Sequence, residues 1–264
     1  DQLWNPYLEA YAGPEYFLSF VNEHNVKVSY ASSFGNIEGV SEDFRKKYQP
    51  LLDRFSGISV REDYAVDICE KDFGIQAKHV CDPVFLCDKL DFIELSKESK
   101  QEYPEKFLVN FLLDPNAEKV EGYKYVQEKI GLKECTNLTD LQNVEERVKN
   151  FQGEKVFANI GIEDFLKAYV NAEFVVTDSF HGTCLAIIFN KPFISIANKE
   201  RGEKRFKSLL KWLGLEHRMV YDIKEIYKRT ELLEEIDFTP VNRIIENSKN
   251  EGIEWLKGHL SKMM

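Results

Sequence analysis

Several familiar signatures are missing from the 264 residues. There is no G-x-G-x-x-G, no Walker A, no H-E-x-x-H and no G-x-S-x-G, so the local marks of dinucleotide binding, P-loop phosphate binding, zincin proteolysis and α/β-hydrolase chemistry are absent. A D-x-D metal motif is lacking as well, since Asp88 and Asp91 are wrongly spaced. Cysteine is scarce: five residues (Cys69, Cys81, Cys87, Cys135, Cys184) with no C-x-x-C. An odd count without a framework argues for reduced thiols in a reducing compartment. No apolar run approaches the roughly 18 to 20 residues that span a bilayer, and no signal peptide is visible, so a cytoplasmic protein is expected. Positive charge is also short, 35 Lys and Arg against 45 Asp and Glu for a net charge of −10. That balance argues against nucleic acid as a partner, because such binding needs a basic surface to displace counterions.

What is present is alternation. Short apolar runs alternate with amphipathic stretches, the order expected of parallel sheets covered by helices. Strands are expected at 16–21, 26–34, 58–60 and 77–81, with helices at 41–56, capped by Ser41 and closed by Gly57, and 63–73, stopped by Gly74. The charged stretch 88–105 reads as a crossing between domains. Beyond it come a strand at 107–113, a helix at 117–130, an irregular stretch, and strands at 156–160, 174–177 and 193–196. Helices are expected at 163–170 and 183–189, and a helical tail is interrupted by Pro240. The architecture is therefore α/β: two Rossmann-like domains facing a cleft, residues 1–95 and 96–264, with ligands at the carboxyl ends of strands.

The strongest local signal is Phe174 to Thr183. A buried strand ends at Thr177 and a helix starts within a few residues, with Asp178 or Ser179 as cap and Gly182 permitting close backbone approach. His181 then lies in the first helical turn, where amide N–H groups and the helix dipole favour an anion. The competing reading makes Asp178 and Ser179 a cap and His181 incidental.

The phrase Thr177-Asp178-Ser179-Phe180-His181-Gly182-Thr183, followed by Ala186-Ile187-Ile188-Phe189-Asn190-Lys191-Pro192-Phe193, resembles the C-terminal motif of the polysaccharide pyruvyl transferase family. Asp1 to Pro6, Ser59 to Asp63, Cys81-Asp82-Pro83 and the stretch from Arg201 to Leu210 match in the same order. The resemblance implies a glycosyltransferase-B-like fold and an enzyme that moves a pyruvyl group from phosphoenolpyruvate to sugar hydroxyls, with no cofactor and no metal. It implies His181 and Asp178 as catalytic residues, and Arg61, Ser179, Gly182, Thr183, Arg201 and Arg205 as substrate-binding residues. His181 would donate a proton while Arg61 and Arg205 hold the donor's anionic groups, with Asp178 or Glu62 as the carboxylate beside the reacting carbon. Many relatives carry Arg-Leu-His where this chain has Ser179-Phe180-His181. Family members open with a β-α unit ahead of the motif at Asp1, so the first domain is expected to lack its opening unit. The implied acceptor is a sugar or a lipid-linked oligosaccharide, which would place the work at the inner face of the membrane as a peripheral association.

Two other readings stay open: a nucleotide-sugar glycosyltransferase on the same fold, and a non-catalytic glycan-binding member of the family. Individual residues also have structural readings. Arg61 is a candidate salt-bridge partner for Glu62 or Asp63. Arg201 and Arg205 sit in a charge run where a solvated face is the default, Trp4 beside Pro6 suits packing, Asp82-Pro83 suits a turn, and Cys184 suits the core.

Overall fold

The computed structural model describes residues 2–10, 13–139, 144–197 and 202–261. The elements follow in chain order as β1 (Val28–Ser32), α1 (Glu42–Leu52), β2 (Gly57–Val60), α2 (Asp63–Phe73) and β3 (Lys78–His79). Then come α3 (Lys89–Ser96), β4 (Phe107–Phe111), α4 (Ala117–Lys129), β5 (Glu134–Leu138), α5 (Val144–Asn150), β6 (Val156–Phe157) and α6 (Ile162–Asn171). The last group is β7 (Phe174–Thr177), α7 (Phe180–Ile188), β8 (Phe193–Ile196), α8 (Glu203–Leu213), β9 (Met219–Val220) and α9 (Phe238–Leu260).

Two compact units result. One spans residues 1–86, 200–213 and 241–264; the other spans 87–199 and 214–240. This partition differs from a single cut after residue 95. The chain leaves the first unit and returns to it twice, because α8 and α9 find their apolar partners there. In α9, Trp255 lies 6.4 Å from Tyr30 of β1, and Phe85 meets Trp212 of α8 edge-on at 5.9 Å.

The first unit is built on a three-stranded parallel sheet in the order β1-β2-β3. Helix α1 starts as expected, with Ser41 Oγ accepting from the Phe44 N–H at 3.2 Å. Helix α2 stops at Gly74, whose φ of +64° is left-handed and suits glycine. The core is rich in rings, with Trp4, Phe17, Phe34, Phe44, Tyr48 and Phe73 buried together. Trp4 is 1% exposed and stacks on Phe17 at 5.5 Å, so its role is packing. The strand expected at 16–21 does not form. Pro14–Phe17 is a single 3₁₀ turn closed by Leu18 in a left-handed conformation, which drives Phe17 inward onto Trp4.

The second unit carries a six-stranded, wholly parallel sheet in the order β6-β5-β4-β7-β8-β9. Strands β7 and β8 are buried along their full length, as their mainly apolar sequences suggest, and the two hydroxyls among them are satisfied: Thr177 donates to the Phe111 carbonyl and Ser195 pairs with Thr183. Leu108, Val120, Tyr123, Val126, Val176, Ile194 and Ile226 form one core, each such side chain contributing about 1.5–3 kcal/mol by leaving water. The charged stretch read as a crossing contains α3, which packs on α6 and sets Phe92 against Phe189 at 6.2 Å. The stretch read as irregular contains β5 and α5. Pro240 falls in the first turn of α9, where no intrahelical N–H is needed, so it opens that helix and does not interrupt it. No described helix is long and apolar enough to cross a membrane.

Candidate functional site

The residues singled out in the sequence divide between the units. His181, Asp178, Ser179, Gly182 and Thr183 belong to the second; Arg61 and Arg205 belong to the first. Arg201 lies outside the described residues.

In the second unit the strand order reverses between β4 and β7: β5 and β6 lie beyond β4 on one side, β8 and β9 beyond β7 on the other. Such a switch point is where open α/β sheets bind ligands. Helix α7 begins there. Ser179 is its N-cap, with its Oγ accepting from the Gly182 N–H at 3.2 Å, as one of the two capping alternatives required. Of the nine residues of α7, eight are buried; His181, half-buried in the first turn, is the one that reaches outward. A helix apolar on every side is an interior helix.

Asp178 is the other alternative, and it does different work. It is 3% exposed, and its carboxylate accepts from the Leu113 N–H at 2.6 Å, the Asp114 N–H at 3.1 Å and Lys119 Nζ at 2.7 Å. Lys119 Nζ also donates to the Asp114 carbonyl at 2.8 Å. The carboxylate thus ties the loop after β4 to the loop after β7, across the switch point. Sequence reasoning missed Lys119 because no local pattern marks it; it stands 59 residues from its partner.

Gly182 and Thr183 face inward. A Cβ on Gly182 would lie 2.5 Å from Thr177 Oγ1 and 2.8 Å from the Tyr169 hydroxyl, so glycine is what lets α7 sit against β7 and α6. Thr183 is fully buried; its Oγ1 lies 3.1 Å from the Ser179 carbonyl, to which it donates, and 2.6 Å from Ser195 Oγ. Cys184 is in the core, as expected.

In the first unit the carboxyl ends of the strands gather a second polar cluster. Arg61 follows β2 and is buried. Its Nε donates to Glu62 Oε1 at 3.1 Å and its Nη1 to Asp82 Oδ2. The salt-bridge reading of Arg61 holds for Glu62, with Asp82 as the second partner in place of Asp63. Asp82 also accepts from the Val84 N–H at 3.0 Å, making the turn expected at Asp82-Pro83. Ser33 donates to Glu62 Oε1 at 2.6 Å, and Glu62 Oε2 is buried with no hydrogen-bond partner. Burial raises the Glu62 carboxyl above its ordinary range, more than Arg61, Ser33 and Arg205 together lower it. Arg205, on α8, is 7% exposed and not on a solvated face. Its guanidinium packs against Gly202, and the Gln2 amide lies 3.2 Å from both terminal nitrogens, its oxygen turned toward them. Among the described residues no group of three or more His, Cys, Asp and Glu side chains could hold a metal ion.

Two units built on parallel sheets covered by helices make the fold glycosyltransferase-B-like. The UDP-GlcNAc 2-epimerase of Methanocaldococcus jannaschii shares the fold at a TM-score of 0.51 and 16% identity, over 76% of this chain and 63% of that one. The wall teichoic acid polymerase TagF shares it at a TM-score of 0.51 and 10% identity, over 93% of this chain and 71% of that one. This chain thus spans less than two thirds of the length of the epimerase. No curated protein matches it. The sequence model of the polysaccharide pyruvyl transferase family matches residues 1–200, and the chain belongs to that family.

Proposed function

We propose that this protein transfers a pyruvyl group from phosphoenolpyruvate to two hydroxyls of a sugar in a polysaccharide or its lipid-linked precursor, forming a ketal and releasing phosphate. The observation that carries the proposal is His181: the one residue of α7 that is not buried, in the first turn, at the switch point of the larger sheet. Family membership supplies the reaction class.

The chemistry sets the roles. Protonation of the donor's methylene carbon makes C2 electrophilic, one sugar hydroxyl adds there, and a second displaces phosphate, which leaves with the C–O electron pair. The two hydroxyl protons balance the one gained by carbon and the one taken by phosphate. Histidine suits such transfers because it gains and loses a proton near neutral pH. The donor's carboxylate and phosphate call for cations, and the reading gives that task to Arg61 and Arg205, both buried. Asp178, with its carboxylate engaged by three protein donors, acts as a positioning residue for the start of α7 and not as a group touching substrate. The proposal invokes no cofactor. With a lipid-linked acceptor the work would take place at the inner face of the membrane.

The test is phosphate release from phosphoenolpyruvate on adding an acceptor glycan. We expect release by the wild-type chain and a loss of about 10²- to 10⁴-fold in His181→Ala with the thermal midpoint held. Near-normal turnover in that variant would overturn the role of His181. Consumption of a nucleotide sugar, with none of phosphoenolpyruvate, would replace the proposal with glycosyl transfer. Binding of a glycan without any product would make the protein a non-catalytic member.

A further inference from the structure

The chain leaves the first unit after Leu213 and rejoins it at Val241, and residues 214–240 between those points belong to the second unit. Arg218 holds the two ends of this excursion together. It closes the 3₁₀ turn Glu216–Arg218 ahead of β9 and is 3% exposed. Its Nη1 donates to the Leu232 carbonyl at 2.9 Å, and its Nη2 to the carbonyls of Glu234 at 2.8 Å and Glu235 at 3.2 Å. The guanidinium thus clasps the last stretch of the excursion, just ahead of α9.

The same guanidinium donates from Nε to His217 Nε2 at 3.2 Å. A charged arginine has no lone pair to offer, so His217 Nε2 must accept here and carries no proton. A second guanidinium stands close by. Arg229 donates from Nη2 to the His217 carbonyl and from Nη1 to the Met219 carbonyl at 3.1 Å. It is itself paired with Glu231 at 3.0 Å and Glu225 at 3.3 Å. The charged groups that face the imidazole are therefore Arg218 and Arg229, opposed by Glu216 and Glu231.

We propose that His217 is a proton-sensitive catch on this clasp: protonating the imidazole turns an acceptor into a donor, expels Arg218 Nε and releases the 232–235 carbonyls. The guanidinium is planar and its N–H groups are fixed relative to one another, so Nε cannot swing away while both Nη groups keep their places. His217 is exposed and Arg218 buried, so a proton reaches the catch without having to reach the clasp. Electrostatics agrees in sign. Partial burial, then Arg218 and Arg229, hold the imidazole below its ordinary 6.5, by more than Glu216 and Glu231 raise it. The clasp is complete above pH 6.5 and is lost as pH falls through the lower value of the folded chain. Val220, Ile226 and Leu232 remain packed in the larger core, so the opening is local to the base of the excursion. The catch does not depend on the reaction proposed for His181.

The test uses the isotope-labelled full chain, titrated from about pH 7.5 to about pH 5, the range over which histidine changes charge. Chemical shifts follow the His217 ring and the amides of Leu232 to Ile236, and hydrogen exchange is corrected for its intrinsic pH dependence. We expect those amides to move with the His217 ring at one midpoint below 6.5. Protection of the Leu232 and Glu234 N–H groups, which donate to the Arg229 and Glu231 carbonyls, should fall severalfold. His217→Gln keeps an acceptor without a titration and should hold the neutral-pH shifts throughout. His217→Lys carries a fixed charge and should show the released shifts already at about pH 7.5. The other histidines are present in His217→Gln as well, so that comparison isolates His217. The inference is overturned if Leu232 to Ile236 do not follow the His217 ring, the result expected where Glu216 and Glu231 absorb the new charge. A His217→Gln variant that responds to acid as the wild type does would overturn it too.

Discussion

In the first unit two carboxylates hold an arginine; in the second, a lysine and two backbone N–H groups hold a carboxylate. Both clusters sit at carboxyl ends of parallel strands, yet they do opposite things. The Asp178 cluster draws its donors from the loop after β4 and from α4, so it latches together pieces of the fold distant in sequence. The Arg61 cluster crowds two carboxylates onto one guanidinium and leaves Glu62 Oε2 without a partner. A latch is satisfied; a cluster with a surplus acceptor and a raised carboxyl can change its protonation when an anion arrives. The difference separates a contact whose groups are satisfied from one with an acceptor to spare.

The sharpest way to break that contrast is Asp178→Ala. It strands the Lys119 ammonium, only 11% exposed, together with two backbone N–H groups. We expect a loss of about 3 kcal/mol in unfolding free energy, measured by urea denaturation. A loss below about 1 kcal/mol, the size of an exposed pair, would mean the latch is ornamental. Ser179→Ala should cost less, about 1 kcal/mol, the ordinary effect of removing a helix N-cap. Because Ser179 is also a proposed donor contact, its KM for phosphoenolpyruvate is read alongside. A cap alone moves the midpoint and leaves KM in place; a rise in KM with the midpoint corrected assigns the hydroxyl a ligand.

The smallest effect concerns pH. The fold raises Glu62 above the ordinary glutamate value of 4.5, chiefly through burial. The folded chain therefore holds that proton more tightly than the unfolded chain, and its contribution is full below pH 4.5 and is lost as pH rises through the folded value. Glu62→Gln removes the titration. The midpoint of the variant should gain on the wild type steadily above pH 4.5 in parallel thermal melts. A difference that stays constant with pH would return Glu62 to an ordinary ion pair.

Much of this frame was legible beforehand, and the exceptions have physical causes. Strands β7 and β8 are mainly apolar, each with a single hydroxyl residue, and their observed bounds are those expected. Strand β5 reads Glu-Cys-Thr-Asn-Leu and has no apolar alternation; its polar side chains are accommodated because Asn110 Nδ2 donates to Asn137 Oδ1 at 3.1 Å across the sheet. Helix α3 hid in a charged stretch because the apolar surface it packs on, α6, comes 65 or more residues later. The motif at Phe174 to Thr183 located the helix start and the histidine, but not which residue caps it. That depended on Lys119 and the Leu113 N–H claiming Asp178, and no local pattern carries such a pairing.

The return of the chain to its first unit sets the order in which the protein can be completed. Gly57 opens β2 where a Cβ would lie 2.3 Å from the ring of His259, and Gly252 lies as tightly against the Tyr30 hydroxyl. Those contacts wait for residues that leave the ribosome more than two hundred positions later. The second unit has all its segments by residue 240. The usual rule that the amino-terminal domain folds first during synthesis is inverted here. The half that begins earliest finishes last, and until α9 docks it presents an open sheet face that the cell must keep from misassociating.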